Sequence, residues 1–435
     1  MICVFGIAMS EGTFEAAVGL SRKWDAREAG REVARTTISQ LNRPPSFIIL
    51  FSTIHYKKHG GFQEFLNGVW DVLPKDTPLI GGTVAGFINQ HGSFTRGATA
   101  IAVSYTNMDV AVGIGKNTKR NPERAAMNCA QMIDDVLKKS DYPNKLLIDI
   151  TSSGIVPMMP GVGRKRVITS RFGDVLLKTL NTTCKRLQIG PGREDEIIET
   201  LSQQLSDYDI IGGSTLDDNR WESNYQFFNK EVLTNSVIAL GLSSDLKWNI
   251  NSSFGLKSTG LKMKPTNTTL FDCAIKKIED APAVDMYLNK MDWPKELLDE
   301  RLHRRTLFYP LCYKKGDILV PRVLALVIKD TLVFTNKALK NGDMEVYSAS
   351  GSSLINSVKE NLNSYDKNNL KFGFIVSCCA RLEALGDATF KVYDIINNYY
   401  KNVPFLLFFA SGEDVYKPGQ CPVRLNESFN VVNFY

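Results

Sequence analysis

The sequence predicts an α/β protein, with α+β as the alternative: a two-lobed, layered sandwich built on recurring strand and Gly-Gly turn units. Three observations lead there. A short apolar run passing into small or polar residues occurs three times, at 78–88 (Pro-Leu-Ile-Gly-Gly-Thr-Val-Ala-Gly-Phe-Ile), 209–218 (Asp-Ile-Ile-Gly-Gly-Ser-Thr-Leu-Asp-Asp) and 404–413 (Pro-Phe-Leu-Leu-Phe-Phe-Ala-Ser-Gly-Glu). Continuous apolar runs such as 47–52 suit strands buried on both faces. Between such runs lie stretches of helical spacing, as in Phe62, Phe65, Leu66, Val69, Trp70 and Leu73. Strand, helix, strand and turn in that order gather the turns at one sheet edge.

The elements follow in order. A first strand is expected near 16–20, then a helix opened by the capping pair Asp25 and Glu28, with Ala26, Ala29, Val33 and Leu41 on its buried stripe. Pro44-Pro45 stops it before the strand at 47–52. His55 and His59 stand four apart, but Gly60-Gly61 follow and no carboxylate is near, so an exposed loop is favoured over a metal pair. Strands at 98–105 and 108–115 are joined through Thr106-Asn107, and Pro122 opens a helix to about 139. A strand at 146–150 precedes a loop-like stretch, 151–172, with Pro157, Pro160, Gly161 and Gly163 around Arg164-Lys165-Arg166. It lacks the spacing of a nucleotide-triphosphate loop, and its length suits a segment folding over a ligand.

A helix at 194–205 leads to the second Gly-Gly stretch, and Asp217-Asp218 after it read as ligand contacts or, more simply, as turn caps. A strand at 235–242 and a polar region at 243–269 come next. Pro282 opens a helix through Tyr287, and Trp293-Pro294 starts another to Arg305. Strands at 323–327 and 331–335, a helix carrying Leu354, Val358 and Leu362, and a strand at 372–377 follow. Asp387 is expected to cap a helix to Tyr400, and 429–435 to close a sheet.

A chain of 435 residues, 43% hydrophobic, buries a sizeable core and divides into more than one unit. Its net charge of +6 is mild and unclustered, so nucleic acid is not an expected partner. Cys3, Cys129, Cys184, Cys273, Cys312, Cys378, Cys379 and Cys421 include no Cys-x-x-Cys pair, which disfavours structural zinc and a disulfide framework. Neither a signal peptide nor a membrane-spanning run is found, so a cytoplasmic location without membrane insertion is expected.

Gly81-Gly82-Thr83 with Gly86, Gly212-Gly213-Ser214, and Asp-Ala-Pro-Ala at 280–283 recur here in a particular order. Cys378-Cys379-Ala380-Arg381 with Leu385-Gly386 follows, then Ser411-Gly412-Glu413 ahead of Asn426-Glu427-Ser428. With these motifs nearly the whole chain resembles the FIST family (F-box and intracellular signal transduction proteins), with an N-terminal unit at 1–265 and a C-terminal unit at 266–435. The resemblance implies a sensory module binding a small ligand, for which amino acids have been proposed; some animal relatives act in ubiquitin ligation. Two departures stand out: Phe87 follows Gly86 where the family continues with Glu, and Leu407 stands where it has Gly.

From these readings the expected ligand-binding residues are Gly81, Gly82, Thr83, Gly212, Gly213, Ser214, Asp217, Arg381, Ser411, Gly412 and Glu413. Gly-Gly at a strand end permits positive φ and presents bare N–H groups, though the same residues also serve plain turns. Arg381 is a fork for a ligand carboxylate or an internal partner of Glu413, the latter favoured. Cys378 beside Arg381 has the makings of an activated nucleophile, but no histidine can be tied to it, and a packed strand-end cysteine is the simpler reading. No enzyme activity, cofactor or metal is expected. The expected function is to bind a small polar, amino-acid-like metabolite and signal through a separate protein partner. The alternative is an interaction scaffold, adaptor-like, without a small ligand. No F-box, kinase or cyclase segment is recognised, which fits output through another chain.

Overall fold

In the computed structural model, described for residues 12–156, 158, 163–169, 173–338 and 340–435, the three recurring stretches become equivalent strands of three six-stranded sheets. The first sheet has the order Phe14–Ser21, Ala98–Tyr105, Phe47–Ser52, Leu79–Thr83, Gln226–Phe228, Glu231–Leu233. The second runs Met108–Lys116, Ser236–Ser244, Asn144–Ser152, Asp209–Thr215, Glu413–Tyr416, Val423–Leu425. The third runs Trp248–Ser253, Phe429–Phe434, Phe372–Cys378, Phe405–Ala410, Phe87–Asn89, Gly92–Phe94. In each, the recurring strand pairs in parallel with the strand preceding it in its own unit, and the neighbours on either side are antiparallel. Parallel neighbours need a crossover, and each crossover carries a helix.

Each recurring strand is followed by a hairpin that leaves its own sheet. The hairpin after Leu79–Thr83 joins the third sheet, the one after Asp209–Thr215 joins the first, and the one after Phe405–Ala410 joins the second. The exchange closes a ring. Inner faces of all three sheets feed one apolar core, where Phe51 stacks on Phe408 at 4.2 Å between ring centroids and Phe372 on Phe434 at 3.9 Å. Helices cover the outer faces: Ala26–Ile38 and Phe62–Trp70 on the first sheet, Pro122–Leu137 and Glu194–Gln204 on the second, Gly351–Asn363 and Thr389–Tyr400 on the third. Two further sheets, of four and six short strands, built largely from 257–348 form a satellite layer; the six-stranded one includes Val167–Ile168.

The Gly-Gly pairs correct the sequence reading. Gly81, Gly82, Gly212 and Gly213 lie inside strands and none has positive φ. Glycine is required there by close approach instead. A Cβ at Gly81 would fall on the Leu50 carbonyl oxygen, one at Gly212 on Asp149, and one at Gly213 would lie 2.8 Å from the Ala410 Cβ.

Other elements depart from expectation locally. Residues 295–305 break into the short turns Lys295–Leu297 and Leu302–Thr306 rather than one helix. Asp387 does not cap: the helix begins at Thr389, after a 3-10 turn at Gly386–Ala388. Gly173–Leu187 is a helix the sequence reading left unassigned. Phe429–Phe434 is an interior strand. Cys3, Pro157, Pro160 and Gly161 lie outside the described residues. No helix among the described residues is long and apolar enough to cross a membrane.

Gly81→Val should abolish the cooperative unfolding transition, because the added atoms meet fixed backbone and overpacking of this kind costs about 3 kcal/mol or more. Far-UV circular dichroism and urea titration measure it; a variant that unfolds as the wild type does would refute the packing role of this glycine.

Candidate functional site

The three recurring strand ends meet one another backbone to backbone. Thr83 N donates to Tyr225 O at 2.9 Å, Leu216 N to Thr83 O at 3.0 Å, Ser214 N to Gly412 O at 3.0 Å and Ser411 N to Ser214 O at 3.0 Å. The first and third ends are joined by Ala85 N to Phe409 O at 3.3 Å and Phe409 N to Gly86 O at 2.9 Å. Thus Thr83, Ser214, Ser411 and Gly412 do come together, as expected. The N–H groups of Thr83, Ser214 and Ser411, however, are engaged in joining the sheets, so these three do not form a ligand cradle.

Beside the second strand end lies a buried polar cluster. Gly212 sits between Asp149 and Asp414 across the three neighbouring strands, and its missing side chain lets the two carboxyls meet over it. Burial pushes Asp149 up to about 6, and burial with Asp149 alongside pushes Asp414 well up, so the pair holds a proton between them. Arg424, fully buried, donates to Asp414 at 2.8 Å, reaches Glu194 at 3.5 Å and also donates to Ser214. Arg322 binds Asp195 at 2.9 Å. Buried carboxyls outnumber buried cations here and nearby: Asp149, Glu194, Asp195, Glu413, Asp414 and Glu427 against Lys119, Arg322, Arg381 and Arg424.

Three of the expected ligand residues turn out to have internal partners. Arg381 does not pair with Glu413. Its guanidinium donates to the carbonyls of Phe254 at 2.8 Å, Leu354 at 2.6 Å and Glu427 at 3.3 Å, and to Ser357 Oγ at 2.9 Å. Glu413 accepts from Ser428 Oγ at 2.7 Å, and burial pushes its carboxyl well up. Asp217 accepts from the backbone N–H groups of Arg220 and Trp221 at 2.9 Å and Glu222 at 2.7 Å, the turn-capping role. That turn delivers Trp221 to the site.

A cavity opens between this cluster and the satellite layer. Its walls are apolar: Ile155 and Val156, Leu180 from the helix Gly173–Leu187, Leu270, and Ala325, Ile328, Val333 and Phe334. Its polar groups are few: Glu194, Thr335, Asn336 and Ser411, with the Trp221 indole nearby. Asn336 is 1% exposed, donates from Nδ2 to Glu194 at 3.4 Å, and leaves Oδ1 without a partner. An orphan acceptor of this kind costs about 1–3 kcal/mol unless something donates to it. A second, small pocket lined by Cys378 and Cys379 shares Trp221, Thr335 and Ser411 with the cavity, and Arg166, Asn219 and His303 with a polar surface pocket. The described part of 151–172 therefore does wall the cavity. Of the expected residues, Ser411 alone lines it. Glu194, Asn336 and Phe334 were missed, because a lone acid at a helix start and an Asn after a strand carry no motif.

No group of three or more potential metal ligands exists among the described residues. His55 and His59 instead pack edge-on against Trp24, and burial beside Arg96 brings His55 down to about 4. Burial pushes the Cys378 thiol well up.

Comparison with known proteins gives a family and few relatives. The FIST N domain model matches residues 46–272 and the FIST C domain model residues 283–415. An uncharacterized protein of Methanocaldococcus jannaschii is 23% identical over 224 residues, 48% of this chain and 43% of that protein. The chain thus spans less than half the length of that relative. Among solved structures, cyanuric acid hydrolase from A. caulinodans covers 54% of this chain and 71% of its own, at 7% identity and a TM-score of 0.27. PurLQS from Thermotoga maritima covers 98% and 72%, at 10% identity and a TM-score of 0.20. Neither score establishes a common fold.

Two outcomes follow from this geometry. Asp149 has its proton affinity raised on folding, so its contribution is full below pH 4 and lost as pH rises through about 6. Asp149→Asn should flatten that part of the stability curve measured by urea unfolding; an unchanged slope would refute the shared proton. Alkylation near neutral pH should mark exposed Cys421 quickly and buried Cys378 only on unfolding, as peptide mapping would detect. Rapid selective labelling of Cys378 would overturn its role as a packed residue.

Proposed function

The chain belongs to the FIST family, whose domains are signal-transduction sensory domains, and from that premise we propose that it senses a small metabolite, an amino acid or a relative of one, bound in the cavity beside Glu194 and Asn336. The observation that carries this reading is the cavity itself. It is mostly apolar and has a few convergent polar groups at one place, including an acceptor with no partner. It also lies where two layers meet: the second sheet and its helix Glu194–Gln204 on one side, the satellite strands on the other. A ligand bridging the two favours whichever arrangement it contacts better, which is what a sensor requires. We propose that the chain works without catalysis and passes its signal to a separate protein partner. Met127, Met132 and Val136, exposed on the helix Pro122–Leu137, support a protein contact and favour the scaffold as the second reading.

A thermal-shift screen of amino acids and their derivatives tests the first reading. A ligand at a hundredfold excess over its Kd should stabilise the protein by about 2.7 kcal/mol. Ala325→Leu, which adds bulk to the cavity wall, should remove the shift while leaving the unliganded protein folded. A flat screen together with co-purification of a stoichiometric protein would favour the scaffold instead.

A further inference from the structure

We infer that the ligand of this cavity carries a primary amine head on an apolar body, the head lying against Glu194, Asn336 and Ser411. The inference rests on the sensory reading of the cavity and narrows it.

The polar groups of the cavity ask for hydrogen-bond donors. Asn336 Oδ1 is an acceptor, nine-tenths or more buried and without a partner, and its Nδ2 is already turned to Glu194. Glu194 is 2% exposed and offers carboxylate oxygens whose present donors are distant: Ser214 Oγ at 3.2 Å, Asn336 Nδ2 at 3.4 Å and Arg424 at 3.5 Å. Arg424 is shared between Glu194 and Asp414, and its closer ion pair is with Asp414, at 2.8 Å. Lys119 is turned to Asn235 Oδ1 at 2.7 Å. An ammonium brings three donors and a positive charge, and an amide or alcohol brings donors without the charge.

An acid head fits poorly. Among the described residues no Arg or Lys lines the cavity, so a ligand carboxylate would face Glu194 and Asn336 Oδ1 with no cation to bind it. A free amino acid brings both groups, and only its amine is met. The apolar walls, Val156, Leu180, Ile328, Val333 and Phe334, suit a branched aliphatic or aromatic body.

Three molecules sharing one body separate these cases: 3-methylbutylamine, leucine, and 4-methylpentanoate, with 3-methylbutanol as the uncharged control. Titrated by calorimetry into the full chain, the amine should bind at least about tenfold more tightly than leucine or the alcohol, and the acid should not bind. Asn336→Leu should weaken the amine about tenfold or more while its unliganded melting temperature stays near that of wild type. Glu194→Gln is the second variant and should remove the preference for amine over alcohol. Tighter binding of the acid or of leucine than of the amine would overturn the amine assignment and leave the cavity a ligand site. Should none of these molecules bind, nor 2-phenylethylamine and 2-phenylethanol in their place, both the amine assignment and the sensory reading of the cavity fall.

Discussion

Everything in this fold depends on three strand ends approaching one another closely enough to share hydrogen bonds. The distance is set by the backbone, and that is why glycine stands at 81, 82, 212 and 213. At each of these positions a Cβ would meet a main chain or a side chain already committed to the contact. Once the ends are joined, the sheets have fixed relative positions, their inner faces share one core, and their outer faces are left to helices. The three ends are alike in backbone but not in the residues around them. Around Gly81 the neighbours are Leu50 and Phe227, an apolar filling. Around Gly212 they are Asp149 and Asp414, which meet where a side chain is missing. The same geometric rule gives packing in one unit and a proton-sharing acid pair in another.

That asymmetry places the site. Asp414 fixes Arg424, Arg424 reaches Ser214 and Glu194, and Glu194 stands in the first turn of its helix with one face toward the cavity. The polar groups of the cavity are thus held from behind by a network that is itself nearly inaccessible to water. Buried networks of this kind are rigid when satisfied, and their unsatisfied members mark where something else is wanted. Asn336 is such a member.

Much of this was legible in the sequence. The threefold recurrence, the apolar interior strands and most helices could be read from periodicity and turn residues, and the family from ordered short motifs. What could not be read was the use of each motif. Adjacent glycines look the same whether they free φ or allow close approach; deciding between them takes the neighbour across the sheet, here Leu50 or Asp149. Arg381 and Glu413 are spaced as a plausible pair, yet each found backbone or hydroxyl partners on elements far away in sequence. Glu194 and Asn336 are 142 positions apart, and nothing short of the fold brings them together.

The exchanged hairpins bear on how the chain reaches this state. Since each unit lends its hairpin to another, no unit can complete its own sheet: the second stays open until Glu413–Tyr416 is made, and the third draws on residues as early as Phe87 and as late as Phe434. Contacts spanning most of the chain must therefore form together, and loop-closure entropy is met before they reward it. Closure at such separations slows folding. During synthesis the first sheet has all its strands once Leu233 is made, whereas the second waits with an unpaired edge until the last hairpin leaves the ribosome.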